Sequence, residues 1–153
     1  MRWTIQSINS YLKEREYVDT AVIPLVPVSW EKDIKATVEA GEFAALLVDG
    51  LEQQLRGRVI HFPPFSYLKA ESLELRVDRL LQWKRELLEN GFKHVYFITS
   101  DAEWKGVEEQ IGDSLIWLPA VPLEYMSQEN SQEILSSQIK QLLQIIMMKW
   151  QNS

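Results

Sequence analysis

The sequence predicts an α/β fold: a single three-layer domain with a mainly parallel sheet of about four strands and helices on both faces. Three observations predict it. Four short runs rich in β-branched and aromatic residues alternate with helical patterns, and strands separated by helices join as parallel crossover units. One run, Val95-Tyr96-Phe97-Ile98, is apolar without interruption, as suits a strand covered on both faces. Asn90-Gly91 stands just before it, the pair expected where a helix ends in a left-handed residue. With no internal repeat and no long linker, residues 1–153 are read as one domain.

The first helix is expected over residues 4–14, where Thr4 caps and Ile5, Ile8, Tyr11 and Leu12 share a face. Residues 20–25 form the first strand, extendable to Val28. Pro24 and Pro27 cannot donate ladder hydrogen bonds, which puts this strand at an edge or ends it there. Ser29 is expected to cap a helix over residues 30–40, which Gly41 breaks. Residues 42–56 are read as another helix, although Asp49-Gly50 leaves residues 43–48 open to a strand. Residues 58–62 form the second strand, stopped by Pro63-Pro64, and residues 65–69 a loop.

Residues 72–90 form the clearest helix. Leu73, Val77, Leu80, Leu81, Leu87 and Leu88 trace its inner face, while Arg76, Arg79 and Arg85 fall largely outside. The uninterrupted strand follows, then a short helix over residues 103–111 and a fourth strand over residues 114–118. Asn130 with Glu133 resembles a capping box opening the last helix, which ends near Trp150. Its stripe of Leu135, Ile139, Leu142, Leu143, Ile146 and Trp150 reads as a helix covering the sheet. Ile145, Met147 and Met148 widen the stripe, which gives the second reading of a homodimer through the C-terminal helix.

Composition narrows the function. The net charge of −6, with basic residues scattered, argues against nucleic acid and against an anionic membrane surface. The absence of cysteine excludes disulfides, thiolate metal sites and cysteine nucleophiles, and fits a reducing cytoplasm. No run approaches the roughly 18 apolar residues of a spanning helix, and Met1-Arg2-Trp3 leads into a polar segment without a signal region. The glycines stand apart, so no phosphate loop exists. His61 and His94 read as strand histidines, not ligands, and no nucleophile elbow surrounds Ser29 or Ser100.

In an open parallel sheet, ligands bind at the carboxyl ends of the strands. That edge is expected to present Ser29, Tyr67, Thr99 and Ser100 as a crevice. It also carries four carboxylates, Glu31, Asp33, Asp101 and Glu103. Hard oxygen ligands of this kind suit Mg²⁺ or Mn²⁺. Acidic residues at helix starts are equally explained by the helix dipole. The leading expectation is therefore a non-catalytic binding or protein-interaction domain with no cofactor, serving an unknown protein partner or small ligand. The alternative is a hydrolase in which those four carboxylates hold Mg, Mn or Zn and the metal activates water.

The run YVDTAVIPLVPVSWEKDIKATVEAGEF and the stretch RGRVIHFPPFSYLKAE resemble the YpiF-like family of small proteins from Bacillus and its relatives. The resemblance covers nearly the whole chain and implies kinship without implying a reaction. A fainter likeness is to the creatininase-like amidohydrolases. Ser29-Trp30-Glu31-Lys32-Asp33 resembles their first ligand motif with Asp33 in place of histidine, and Glu42 falls about where their aspartate stands. Asp101-Ala102-Glu103 resembles their last element, again with aspartate for histidine. Without the histidine ligands, this likeness implies the scaffold but not the chemistry.

Overall fold

The structure, a computed structural model, describes residues 1–152. Helix α1 (Ile5–Lys13) is capped by the Thr4 hydroxyl, which accepts from the Ser7 amide. Strand β1 (Thr20–Val28) leads to α2 (Ile34–Gln54), and two short strands follow, β2 (Val59–His61) and β3 (Phe65–Leu68). Helix α3 (Leu73–Glu89) is capped by Ser72, and Asn90 closes it. Gly91 then takes the positive φ that lets the chain turn into β4 (His94–Thr99). A 3₁₀ helix (Ala102–Val107), the single turn α4 (Glu108–Ile111) and a second 3₁₀ turn (Gly112–Ser114) lead to β5 (Leu115–Trp117). Helix α5 (Gln128–Gln151) closes the chain.

All pairings are parallel, in the order β2-β1-β4-β5, with β3 pairing the second half of β1. The three-layer α/β expectation holds. The inner residues of β1 alternate between two cores. Ala21, Ile23 and Leu25 pack with Val77 and Leu80 of α3 and with Trp104. Val22 packs on the other face with Phe43, Leu47 and Leu51 of α2 and Leu142 and Ile146 of α5. Each fully buried Leu, Ile or Phe contributes roughly 1.5–3 kcal/mol relative to exposure, so this double-sided burial is what makes β1 the centre of the fold.

That position corrects the reading of β1 as an edge or truncated strand. The Phe62 amide donates to the Val22 carbonyl, so even-numbered residues of β1 turn their backbone groups toward β2 and β3. Pro24 lies on that side, opposite the break between β2 and β3. Pro27 turns toward β4, but the β4 ladder ends at the Pro24–Ile98 pair. Neither missing donor interrupts a ladder bond, so two prolines sit in a central strand.

Other boundaries also differ from expectation. Residues 34–54 form one helix, not two, and its cap position is Asp33 instead of Ser29. Gly41 does not break it. A Cβ there would stand 2.9 Å from Val26 Cγ1, so the glycine lets α2 lie close on β1. Gly50 does the same against Ile139 of α5, where a Cβ would collide with the isoleucine side chain. The open question over residues 43–48 resolves as helix.

Residues 65–68 form β3 instead of a loop, with Phe65 and Tyr67 buried and Ser66 and Leu68 exposed. On α3, Arg76 is buried while Leu73 and Leu88 are exposed. The cap of α5 is Ser127, whose hydroxyl accepts from the Asn130 amide. The C-terminal helix covers the α2 face of the sheet, with Met147 and Met148 exposed.

Candidate functional site at the carboxyl edge

The chain reverses direction around β1. The α2 crossover carries it to β2 and β3 on one side, and the α3 crossover returns it to β4 on the other. The carboxyl ends of β1, β3 and β4 therefore meet at a topological switch point, the place where open α/β sheets bind ligands.

Asp101 organises this edge from the end of β4. One carboxylate oxygen accepts from the Glu103 amide at 3.0 Å and so caps the 3₁₀ helix. The other accepts from the Tyr67 hydroxyl at 2.6 Å, and that hydroxyl accepts from Trp104 Nε1 at 2.9 Å. The Asp101 amide donates to Thr99 Oγ1 at 3.0 Å. Tyr67, Asp101 and Trp104 are all buried. Burial pushes the Tyr67 phenol far above its ordinary range, and the Asp101 carboxylate adds to the shift. Tyr67 thus stays protonated and remains a donor.

A second layer lies outside this one. Lys69 Nζ stands 3.8 Å from both Asp101 Oδ1 and Glu103 Oε2, and 4.0 Å from Asp33 Oδ2. Buried Arg76 donates to Glu103 Oε2 at 2.7 Å, to the Lys69 carbonyl at 2.6 Å and to the Glu71 carbonyl at 3.1 Å. Its guanidinium also lies 5.0 Å from the Tyr67 ring centroid. Ser29 Oγ donates to Asp33 Oδ1 at 2.9 Å.

Three of the four expected carboxylates therefore gather, but what they gather around is an ammonium. Glu31 is exposed and makes no ion pair among the described residues. Glu42 lies on the exposed side of α2. Among the described residues, no group of three or more His, Asp or Glu side chains is placed to hold a metal. Ser100 lies at the end of β4 with its hydroxyl buried and without a hydrogen-bond partner among the described residues. Sequence reasoning found Asp101, Tyr67 and Thr99 but missed Lys69, Arg76 and Trp104. The available signal for Arg76 was its place on the Leu80, Trp83 and Leu87 stripe of α3, at helical spacings of four, seven and eleven.

Beside this network opens a crevice of about 810 Å³, bounded by Val28 to Asp33 after β1, Leu68 to Ala70 after β3, and Glu103. Its rim is apolar. Trp30 is 86% exposed, Leu68 53% and Val28 42%. A tryptophan this exposed is uncommon where nothing covers it.

The histidines lie away from this edge, His61 on β2 and His94 at the start of β4. Burial lowers the proton affinity of both, outweighing nearby carboxylates, Asp49 for His61 and Asp19 for His94. The unfolded chain protonates near pH 6.5 while the folded chain resists, so the unfolded state binds more protons as pH falls below that value. The melting temperature is expected to fall between about pH 7 and pH 5, and a His61→Gln/His94→Gln variant to show a flatter slope across that window. An unchanged slope in the variant would assign the loss to the carboxylates instead.

These features define a class of protein: a parallel α/β domain whose switch-point edge carries a crevice and an internally paired set of carboxylates. The chain matches the family described as Protein of unknown function (DUF2487) over residues 9–150, and it belongs to that family. It is 35% identical over 150 residues to the Uncharacterized protein YpiF of Bacillus subtilis (strain 168), a match that covers 98% of each chain. No solved structure matches it. No helix among the described residues is long and apolar enough to cross a membrane.

Proposed function

We propose that the chain is a non-catalytic protein-interaction domain that receives its partner at the carboxyl-edge crevice. The observation that carries this reading is the exposure of Trp30, with Leu68 and Val28, around a crevice at the switch point. Interfaces are anchored by exposed aromatic side chains that become buried in the complex. The cysteine-free composition suits a reducing compartment, so the partner is sought in the cytoplasm. A second copy of the chain through α5 is less favoured, because Met147 and Met148 are flanked by exposed Lys140, Gln141 and Gln144.

A Trp30→Ala/Leu68→Ala variant is expected to lose a protein that the native chain retains when both are purified from the same cells. Its stability should stay within about 0.5 kcal/mol of native, because both side chains are exposed. Equal retention of that protein by the variant would contradict the reading.

A second reading, the divalent-metal amidohydrolase-like enzyme, would draw on Asp33, Asp101 and Glu103, each of which lies within 4.0 Å of Lys69 Nζ. A rise in melting temperature with Mn²⁺, Mg²⁺ or Zn²⁺, abolished in Asp101→Asn, would favour it. The pairing of these acids with Lys69 favours the first reading, since the three charges already have a cation.

A further inference from the structure

Two crevices adjoin the segment that runs from the end of β1 into α2. One crevice is described above. The other, about 610 Å³, lies against the start of α2, with Val38, Phe43, Leu46 and Leu123 among its apolar walls. In both linings carboxylates outnumber lysines. The first is lined by three carboxylates and two lysines, the second by three carboxylates and one lysine.

The pairing of these charges decides what the rims attract. Lys69 is committed to Asp33, Asp101 and Glu103. Lys35 is committed to Glu124 at 2.8 Å and to the Tyr125 hydroxyl at 2.7 Å. What remains without an ion pair in the two linings, among the described residues, is Glu31, Glu39 and Glu42 against Lys32. The exposed apolar side chains Trp30, Val28 and Leu68 line the same crevice as Glu31, and exposed Val38 lines the same crevice as Glu39 and Glu42. The surface is therefore apolar with surplus negative charge, on a chain whose net charge is −6.

We infer that the partner is a protein segment carrying basic and apolar side chains, laid along residues 28–42 with its cations facing Glu31, Glu39 and Glu42. This rests on the carboxyl-edge reading proposed above and names the chemistry of its partner. Apolar side chains fill the two crevices, and the lysines or arginines supply orientation and a salt-sensitive association rate.

The test uses the full chain and two amidated probe peptides of about ten residues, one alternating leucine with lysine and one alternating leucine with glutamate. Binding is read by titration and by amide chemical-shift changes. The leucine–lysine peptide is expected to shift amides within residues 28–42, and to weaken at least tenfold in a Glu31→Gln/Glu39→Gln/Glu42→Gln variant. It should also weaken as salt rises from about 50 to about 300 mM. The glutamate peptide should leave those amides unmoved. Equal affinity of the lysine peptide for native and variant chains overturns the inference. If the glutamate peptide binds at residues 28–42 and Trp30→Ala abolishes it, the basic partner is wrong while the carboxyl-edge site stands. If neither peptide moves residues 28–42, both the inference and the site beneath it are contradicted.

Discussion

Arg76→Met is expected to lower the stability of the folded chain by about 3 kcal/mol, the order found when one partner of a buried charged pair is removed. The side chain is 3% exposed and ties four groups together. Its guanidinium satisfies the Lys69 and Glu71 carbonyls, holds the Glu103 carboxylate and lies near the Tyr67 ring. Methionine fills part of the volume but donates nothing, so two carbonyls lose this donor and the Glu103 carboxylate is left with Lys69 at 3.8 Å. Glu103 is 43% exposed and can turn to water, which limits the loss on that side. For a chain of this size the cost corresponds to about 6–12 °C in melting temperature. Arg76→Lys keeps the charge but not the planar fork and should fall between. A methionine variant that melts with the native protein would show that α3 is not fastened to the carboxyl edge through this residue.

Tyr67→Phe is expected to cost about 1–3 kcal/mol, through one oxygen atom. The hydroxyl is the middle of a chain, accepting from Trp104 Nε1 and donating to Asp101. Without it the indole N–H has no acceptor and a buried carboxylate oxygen has no donor, while the apolar packing is unchanged. The ring still meets Trp104 edge-on, with centroids 5.2 Å apart, so packing loss does not explain the cost. Near-ultraviolet circular dichroism separates the cases. A melting temperature lowered with the native aromatic signal retained indicates a broken hydrogen-bond chain. An unchanged melting temperature would mean that the hydroxyl contributes nothing to the frame of the edge.

Much of this architecture was legible in the sequence because it rests on pattern. Uninterrupted apolar residues in β4 require cover on both faces, and the alternation of strands with amphipathic helices requires parallel crossovers. The failures share a physical cause, in that a local rule was applied where a tertiary neighbour decided. Pro24 and Pro27 would mark an edge in a strand paired uniformly along its length, but β1 is paired over different stretches on its two sides. Gly41 and Gly50 look like helix breakers until Val26 and Ile139 are seen to need the space. Phe65–Leu68 alternates buried and exposed as a strand should, but four residues after two prolines carry too little periodicity to show it.

The site follows the same division. Strand-end positions made Asp101, Tyr67 and Thr99 legible as edge residues. Their pairing was not legible, because Tyr67 meets Asp101 across 34 residues of chain and Trp104 across 37. The lysine that gathers Asp33, Asp101 and Glu103 sat in a segment read as loop, so acids that suggested a metal turn out to surround a side chain of the same protein.

On the reading proposed above, the acids of the carboxyl edge brace the fold while its exposed apolar side chains take a protein partner. The most direct measurement places a photo-reactive aromatic residue at position 30 and, separately, at position 85 on the exposed side of α3, followed by irradiation in the producing cells. Position 30 is predicted to form a discrete adduct with a second protein, and position 85 to form none. Adducts of equal yield from both positions, or none from position 30, would contradict the claim.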